Sequence, residues 1–554
     1  MLFSGGMMRR IVTTGAMVIV FLVLLSALVI KMRGFRASST PTRLETSVAR
    51  FVRDFAIPRS EKTRTNPYAS DDEALRQGRS EFLSRCATCH GDDGRAATPI
   101  GTHVYPRVPD LHNPQTQDLT DGELRYIIAH GIQMTGMPAM PGLDGEEERV
   151  SWELVTYLRS LRTLTSIEAT HRQSILSTAQ YVGSRACERC HADIYQRWKR
   201  TPMANVVRDP REHPDAIIPD LNTNTVAPFT IDQVAFVYGS KWKQRYFTRL
   251  GDDYYPLPVQ WDIGNKVWRP YHVADTGADW WTAYYPSDNL QRPTGPTCDG
   301  CHAVNYDIRA KKPAEWNVGC EKCHGPGSDH ISQPTRTNTF NPSTADAIAS
   351  TDTCVQCHSQ GQPRSGLIEG KAYDWPVGYQ VGLRLQDFWK LEPHALGETG
   401  FTHYADGSAH KNRMQGNDFV QSLMYRRGVT CASCHDAHGT DYYAQLRKPV
   451  DTICLDCHAP NGPNGPHAAS FEAHTLHKTG STGSQCVACH MPKIASEGVP
   501  GSFVRSHTFR FVTPSMTAKY KIPNACASCH TDRTPEWVAE ALKSWAGVSP
   551  WRVE

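Results

Sequence analysis

The sequence has no cysteine outside a single repeated pattern, and this absence already excludes several classes of protein. All 18 cysteines of the 554-residue chain stand in pairs with two residues between them, and a histidine follows each pair directly. No cysteine is therefore left for a disulfide bond or for nucleophilic catalysis. Hydrophobic residues are also modest in number, at 39% of the chain. This suits a water-exposed protein whose interior is partly filled by something other than side chains.

The paired cysteines with their adjacent histidines are typical of covalent c-type haem attachment. Two thiols add to the vinyl groups of the porphyrin, and the histidine binds the iron from the same side. A zinc ribbon would need two pairs converging on one metal and gives the next residue no role. The sequence therefore predicts nine haem c cofactors. The nine sites are Cys86/Cys89/His90, Cys187/Cys190/His191, Cys298/Cys301/His302, Cys320/Cys323/His324, Cys354/Cys357/His358, Cys431/Cys434/His435, Cys454/Cys457/His458, Cys486/Cys489/His490 and Cys526/Cys529/His530.

The chain also lacks a clustered basic stripe beyond its N-terminal residues. Its formal net charge is +3, and the propionates of nine haems would make the loaded protein acidic. The mildly basic polypeptide is therefore no argument for nucleic acid as a partner.

Residues Ile11 to Ile30 form an uncharged run of 20 residues, which is long enough to cross a bilayer. A cleaved signal peptide usually has a shorter apolar region and a small-residue cleavage site. We therefore predict an N-terminal transmembrane anchor over residues 1–31, with a cleaved signal as the alternative. Because this type of haem attachment takes place outside the cytoplasm, we expect a single-pass protein of the cell membrane. Its haem domains would lie on the periplasmic or extracellular side.

Composition and apolar spacing divide the rest of the chain. Residues 32–70 are polar without apolar periodicity, which predicts a tether. Residues 71–165 contain one haem site, with a helix that Asp71 and Asp72 would cap and a second one that Asp121 would cap. Residues 166–180 form a linker, and residues 181–554 carry the other eight sites. The predicted fold is mainly α with extensive loops, around a core packed with haem.

An aromatic stretch interrupts the eight-haem part at about residues 225–290. The segments "DQVAFVYG", "QRYFTRL" and "YYPLPVQWD" favour strands, which predicts a small β-rich insertion covering a haem. Core packing explains so many aromatic residues most simply. A partner-docking surface and a substrate pocket are the alternatives.

The unit at residues 71–165 resembles the class I monohaem cytochromes c. The residues that carry this resemblance are "GRSEFLSRCATCHG", "GMPAMPG" and "WELVTYLRSL". By that resemblance Met137 is the sixth iron ligand, opposite His90, with Met140 as the alternative. A histidine and methionine pair raises the potential of a haem.

The eight-haem part resembles the doubled-CXXCH multihaem cytochromes, a group that includes cytochromes similar to c-552 and c-554. The matching segments are "YVGSRACERCHADIYQRW", "LPVQWD", "VGCEKCHGPGSDH", "TCVQCHSQG", "VTCASCHDAHG", "STGSQCVACHMP" and "RSHTFRF". The resemblance implies further iron ligands on the opposite side of each haem, at His330, His438, His474 or His477, and His507. Met203 is a second methionine candidate. The weaker candidates are His272, His394, His403, His410 and His467.

Two functions fit this ligand set. A haem with two protein ligands has no vacant position, whereas catalysis at iron needs one. The pentahaem nitrite reductases mark their open haem with lysine in place of the proximal histidine, and no CxxCK occurs here. We therefore expect electron transfer between redox protein partners. The alternative is an octahaem oxidoreductase that acts on a small nitrogen or sulfur oxyanion and has a fused monohaem domain. The sequence identifies no catalytic residue and leaves open whether chains assemble into larger complexes.

Overall fold

The computed structural model describes most of the chain after residue 40 and divides it into two compact units, residues 1–166 and 167–554. The described residues are 41–91, 94–96, 98, 100–140, 142–145, 147–175, 179–221, 226–271, 288–336, 338–400, 402–459, 470–495 and 503–545, together with residues 17 and 31. The predicted anchor Ile11–Ile30 therefore lies outside the described residues except for Met17. Among the residues that are described, no helix is both long and apolar enough to cross a membrane.

The first unit is a small helical domain. Its helices are α1 (Arg43–Ala56), α2 (Arg59–Lys62), α3 (Asp72–Glu81), α4 (Ala87–His90), α5 (Pro114–Gln117), α6 (Asp121–His130) and α7 (Glu148–Ile175), with a π-helical turn at Phe82–Cys86 before α4. The end of α7 runs past residue 166, so the first part of the predicted linker 166–180 is helical. One buried cluster joins the π-helical turn, α6 and α7 through Phe82, Leu124 and Leu154. In α7, Val155, Leu158 and Leu161 are buried in this cluster and stand at the spacing of one helix face.

The helix ends of this unit confirm one predicted cap and correct another. The Asp71 carboxylate caps α3 by accepting the N–H groups of Glu73 and Ala74 at 2.8 and 3.2 Å. The predicted cap Asp121 was wrong, because α6 begins at Asp121 itself and Thr120 is its cap. Thr120 and Glu123 bond each other's backbone reciprocally, which satisfies two N–H groups at once.

The stretch predicted as a polar tether differs from that prediction. It contains α1 and α2, and the apolar residues of α1 recur with helical spacing. The sequence interpretation missed this periodicity because it is confined to residues 44–55, a short part of the predicted tether 32–70. Glu61 of α2 accepts a hydrogen bond from the buried Arg125 of α6 at 2.5 Å, so this part of the stretch packs against the first unit.

The second unit is built of short elements. Its helices are α8 (Ala192–Trp198), α9 (Gly300–His302), α10 (Glu321–His324), α11 (Ser328–Ser332), α12 (Ala347–Val355), α13 (Gln415–Phe419), α14 (Leu423–Arg426), α15 (Cys431–Cys434), α16 (Val450–Leu455), α17 (Phe471–Thr475), α18 (Cys486–His490), α19 (Pro514–Tyr520) and α20 (Pro535–Lys543). Its buried side chains form several small, separate clusters in the described part of the unit. A side-chain core alone is therefore not what organises this unit.

The β-rich insertion forms one antiparallel sheet of five strands in sequence order. The strands are β1 (Val207–Arg208), β2 (Phe236–Tyr238), β3 (Lys243–Leu250), β4 (Asp253–Asp262) and β5 (Val267–Pro270). Tyr246 and Phe247 on β3 are almost fully buried, one on each side of the sheet. The sheet thus confirms the predicted strands. The rest of the aromatic stretch, with Trp280 and Trp281, lies outside the described residues.

The described residues of the second unit also form three two-stranded ladders. They pair β6 (Ala303–Val304) with β7 (Glu315–Trp316), β8 (Gly361–Pro363) with β9 (Trp389–Leu391), and β10 (Lys493–Ala495) with β11 (Phe503–Arg505). The first of these ladders begins directly after His302 and the last follows His490 closely. Each of the two therefore fixes the backbone that leaves a haem-attachment turn.

Candidate haem-binding sites

Each Cys-x-x-Cys-His segment closes into a tight helical turn. The N–H of the histidine donates to the carbonyl of the first cysteine at 2.8–3.0 Å in six of the segments, those of His191, His324, His358, His435, His458 and His530. One turn of this kind directs both thiols and the imidazole to the same side of the backbone. The backbone geometry therefore fits the three bonds that a c-type haem makes to the chain.

Five of the motif histidines face a second imidazole at a nearly constant separation. The distances between ring centres are 6.4 Å for His191 and His330, 6.1 Å for His324 and His438, 6.5 Å for His435 and His507, 6.4 Å for His490 and His474, and 6.3 Å for His530 and His477. Rings in direct contact would lie closer. Two metal–nitrogen bonds of about 2.0 Å each, with about 1.1 Å from nitrogen to ring centre, give about 6.2 Å. The spacing thus fits an iron between each pair.

In several of these rings the hydrogen bond is made by Nδ1, so that Nε2 is available to bind the iron. The Nδ1 atoms of His324 and His435 lie 2.8 and 2.9 Å from the carbonyls of Phe340 and Ala444. A carbonyl only accepts, so each Nδ1 carries the proton. The same argument applies to His477 and His507, whose Nδ1 atoms bond the carbonyls of Thr475 and Arg505. In each ring the lone pair is therefore on Nε2, as metal ligation through that atom requires.

Burial keeps several of these imidazoles neutral. It lowers the pKa of His507 to about 4, and it lowers the pKa of His324 although the Phe340 carbonyl acts in the opposite direction. Burial also lowers the pKa of His90 and of His358. Because only the neutral ring offers a lone pair, these environments favour metal binding at neutral pH.

The partner imidazoles come from the segments that follow neighbouring attachment turns. His330 stands six residues after His324 yet faces His191, and His438 stands three residues after His435 yet faces His324. His474 lies on α17, and His477 follows it after a left-handed residue, Leu476, with φ 51°. These two histidines face different motif histidines. The chain thus connects one site to the next through its ligands as well as its backbone.

Thiols of different sites also contact each other. Hydrogen bonds join the thiol pairs Cys187–Cys320, Cys301–Cys357, Cys354–Cys431 and Cys454–Cys486. In addition, the Cys357 thiol lies 3.8 Å from the carbonyl oxygen of Cys301. These contacts place eight of the attachment thiols against a neighbouring site and join seven of the sites into three groups. The site of His358 has such a contact on two sides.

The second cysteine of seven motifs lies outside these four thiol pairs. Three of the seven, Cys190, Cys457 and Cys529, are exposed, whereas Cys89, Cys323, Cys434 and Cys489 are partly buried. Haem attachment at all 18 cysteines stays a prediction from the motif.

The residues beside the three exposed cysteines, His191, His458 and Ser528, are exposed as well. The Cys529 thiol lies 3.9 Å from the Ser528 hydroxyl, a contact within its own turn. The motif specifies the turn itself, whereas the packing of distant segments decides how far the turn is covered.

His302 and His358 differ from the paired histidines. Neither has an imidazole in contact among the described residues. The ring of His302 lies 5.6 Å from that of Tyr238, at 52°, and the Nδ1 of His358 lies 3.5 Å from Oε1 of Gln415. Burial, with the charges of Arg413, Arg245 and Lys322, lowers the pKa of His302 to about 4.

A buried polar network adjoins His302. Tyr238 donates to one oxygen of Asp299 at 2.7 Å, and Thr294 donates to the other at 2.7 Å. Burial raises the pKa of Asp299 to about 6, although both hydrogen bonds act in the opposite direction. A sequence argument missed this network because Asp299 occupies one of the two variable positions inside the Cys298 motif.

Two arginines flank a buried tyrosine close to the same site. The guanidinium carbons of Arg245 and Arg292 lie 4.6 and 5.3 Å from the ring centre of Tyr271, which is almost fully buried. Both arginines act electrostatically on the Cys298 thiol, whose pKa burial raises to about 11. The neighbourhood of this attachment turn is therefore cationic. His272, the next residue after Tyr271, lies outside the described residues.

In the first unit, His90 contacts the core through Phe82, at 6.3 Å between ring centres. The two candidate methionines stand on the loop between α6 and α7. The backbone N–H of Met137 donates to the Thr135 hydroxyl at 3.1 Å, and Met140 packs against the core cluster. The choice between them as ligand stays a prediction.

The weaker candidates occupy other places. The rings of His394 and His403 lie 5.1 Å apart, too close for an iron between them by the estimate above. His410 contacts Tyr404 at 4.8 Å. Met203 lies on a short 3-10 turn, where its carbonyl accepts the N–H of Val318 at 3.1 Å. His467 lies outside the described residues.

Three family models match separate parts of the chain. The model described as cytochrome c oxidase, cbb3-type, subunit III matches residues 73–158. The model for cytochrome c554 and c-prime matches residues 282–325. The model for the doubled CXXCH motif matches residues 425–462. All three describe covalent haem carriers. One of the matches lies in the first unit and two lie in the second.

Comparisons with whole proteins find further multihaem relatives. The chain is 22% identical over 409 residues to the dissimilatory sulfite reductase MccA of Wolinella succinogenes, and the match covers 58% of this chain and about half (52%) of that protein. The crystal structure of the outer cell wall cytochrome OcwA superimposes with a TM-score of 0.54 at 22% identity, over 66% of this chain and 87% of that one. An undecahaem S-layer cytochrome of Carboxydothermus ferrireducens matches with a TM-score of 0.38 at 16% identity, over 90% and 82%.

Proposed function

As this chain is a multihaem c-type cytochrome, we propose that it transfers electrons between redox proteins through nine covalently attached haem c groups. When bound, each haem supplies an iron that gains or loses one electron. The five imidazole pairs carry the proposal, since an iron held by two protein ligands has no vacant position for a substrate. The 18 cysteines hold the haems, and the motif histidines provide the first ligand at each iron.

The order of the sites along the second unit suits this role. The thiol contacts connect the turns of His191 and His324, of His302, His358 and His435, and of His458 and His490. His438 connects the first two groups, because it follows His435 and faces His324. Short separations between adjacent redox centres are what electron transfer through a protein requires.

The first unit acts as the connection to a partner protein. His90 and Met137 are its proposed iron ligands, with Met140 as the alternative for the second position. A thioether ligand raises the potential of a haem, so this unit has a potential distinct from that of the bis-histidine sites. A haem whose potential differs from that of the other haems suits one end of the electron path.

The uncharged run Ile11–Ile30 anchors the protein in the cell membrane, and both units lie on the periplasmic or extracellular side. The length of the run supports a single span. Covalent haem attachment supports a location outside the cytoplasm. The shared fold with a cytochrome described as an outer cell wall protein supports it too.

The test uses the purified full-length holoprotein. Mass spectrometry and a haem assay should find nine thioether-bound haems, and a potentiometric titration should show all of them exchanging electrons reversibly. The double variant Cys526→Ser/Cys529→Ser should lose one haem and keep eight. A preparation with markedly fewer than nine haems, or with haems that a small donor cannot reduce, would contradict the proposal.

A second candidate function is the reduction of a small nitrogen or sulfur oxyanion at the His302 site. The two guanidinium groups that flank Tyr271, from the buried Arg292 and the partly buried Arg245, favour it because they would attract an anion. The related protein from Wolinella succinogenes is described as a sulfite reductase. A high-spin ferric signal that shifts on addition of sulfite or nitrite, and that is lost with the haem in the double variant Cys298→Ser/Cys301→Ser, would favour this candidate over electron transfer alone.

A further inference from the structure

The helix α1 carries an apolar stripe that is turned away from its own domain. Its members stand at the spacing of one helix face, and all are exposed: Leu44, Val48, Phe51, Val52 and Phe55. Leu44, Phe51 and Phe55, the three largest, are 74%, 71% and 83% exposed. Soluble domains rarely leave a contiguous apolar face of this kind uncovered.

The opposite, polar face of α1 holds the helix to the first unit. Arg50 donates to the Gln115 amide oxygen at 2.5 Å, and Lys62 donates to the carbonyl of Asp54 at 2.6 Å. Ile57, just past the helix, is buried at 4% exposure. The usual arrangement of a surface helix, apolar side inward, is therefore inverted here. The inversion means that the apolar face is directed at something other than the first unit.

We propose that α1 lies on the surface of a phospholipid bilayer with this stripe inserted among the acyl chains. Its position in the chain supports lipid as the occupant, because the uncharged run Ile11–Ile30 ends 12 residues before α1 begins. A span ending there leaves the helix within reach of the same membrane face. The connecting residues include Lys31, Arg33 and Arg36, which suit anionic headgroups.

The helix itself has the properties of an interfacial segment. It is 14 residues long, which is too short to span a bilayer. Its apolar residues are confined to one side and include two phenylalanines stacked on each other, with ring centres 6.3 Å apart. Helices of this composition bind in the plane of the membrane. In that position α1 fixes the first unit at the membrane surface, where its haem can meet a membrane-bound partner.

The inference depends on the membrane anchor of the proposed function, so the test separates the two. The full-length holoprotein is reconstituted into phosphatidylcholine vesicles that contain phosphatidylglycerol. Single cysteines are introduced at the apolar face (Val48→Cys) and beside it (Ser47→Cys). The native cysteines are thioether-bonded to haem and do not compete. The rate of labelling with a water-soluble maleimide is then measured for each variant.

Val48→Cys should react at least about 10-fold more slowly than Ser47→Cys in vesicles. Adding Leu44→Ser, Phe51→Ser and Phe55→Ser to Val48→Cys should restore fast labelling. Equal rates at both positions, in protein that still floats with the vesicles, would overturn the inference and leave the anchor intact. Protein that does not float at all would instead contradict the anchor. The same comparison is repeated with protein kept in solution by an amphipathic polymer, without lipid. If Val48→Cys still reacts slowly there, protein rather than lipid covers the apolar face, and the inference is overturned.

Discussion

The imidazole of His438 faces that of His324, with ring planes 10° apart and ring centres 6.1 Å apart. The Nδ1 of His438 lies 3.0 Å from Oδ1 of Asp436, and the Nδ1 of His324 bonds the Phe340 carbonyl. Both rings thus have Nδ1 engaged and Nε2 available on the sides that face each other. This arrangement makes the pair a ligand set for one iron, although 114 residues separate them in the chain.

Replacing His438 with alanine should convert one haem from low spin to high spin, because the iron of the His324 site loses its second ligand. The haem stays attached through Cys320 and Cys323. Electron paramagnetic resonance of the oxidised holoprotein should show that the low-spin intensity of one haem has been lost. His438→Met should restore low spin with a higher potential.

The matched control is His213→Ala, since His213 is exposed and stands in no imidazole pair among the described residues. Its spectrum should equal that of the wild type. If His438→Ala kept all its low-spin intensity, the pairing of these two residues would be wrong.

Replacing Met137 with alanine should lower the potential of one haem and leave the other eight unchanged, because a thioether ligand raises the potential of its iron. A potentiometric titration followed by absorption measures this. Met134→Ala is the control on the same loop, since Met134 is 93% exposed. Should Met140→Ala rather than Met137→Ala produce the shift, the ligand assignment in the first unit would move to Met140.

Replacing Asp352 with asparagine should change how stability depends on pH. Burial raises the pKa of Asp352 to about 7, although the Leu385 N–H and the Arg384 charge act in the opposite direction. A carboxyl with a raised folded-state pKa contributes stability that is full below its unfolded pKa and is lost as pH rises through the folded pKa. The wild type should therefore lose stability relative to Asp352→Asn by roughly 1.4 kcal/mol per pH unit between about pH 4 and pH 7.

Above about pH 7 the difference between the two proteins should become constant. Denaturant unfolding at several pH values, followed by circular dichroism, measures it. The amide can still accept the Leu385 N–H, so the variant keeps that hydrogen bond. A difference that does not vary with pH would show that Asp352 is ionised throughout.

Replacing Gly78 with alanine should destabilise the first unit. A Cβ at Gly78 would lie 1.9 Å from the carbonyl oxygen of Glu153, so α3 and α7 would have to separate. Overpacking of this kind costs about 1–3 kcal/mol. Gly145→Ala is the control, because the nearest atom to its new Cβ is a carbonyl oxygen 3.9 Å away. Thermal unfolding of the holoprotein, observed at the haem proposed for the first unit, should separate the two variants. Equal midpoints would contradict the close approach of these helices.

The sequence alone determined the cofactor chemistry. Two thiols and an adjacent imidazole are a local pattern, so the nine attachment turns need nothing beyond the five residues of each motif. Local rules also gave the strands of the insertion and the Asp71 cap. The cap of α6 and the apolar periodicity of α1 were local as well. They were missed because Thr120 competes with Asp121 and because the periodicity of α1 is confined to a short part of a polar stretch.

Only the tertiary structure decided which imidazole faces which. His330 follows the His324 motif but faces His191, and His438 follows the His435 motif but faces His324. Such pairings depend on contacts between turns that are far apart in the chain, and no local pattern encodes them. The same holds for the exposure of the α1 stripe. Periodicity shows that a helix has an apolar face, but only its packing shows which way that face is directed.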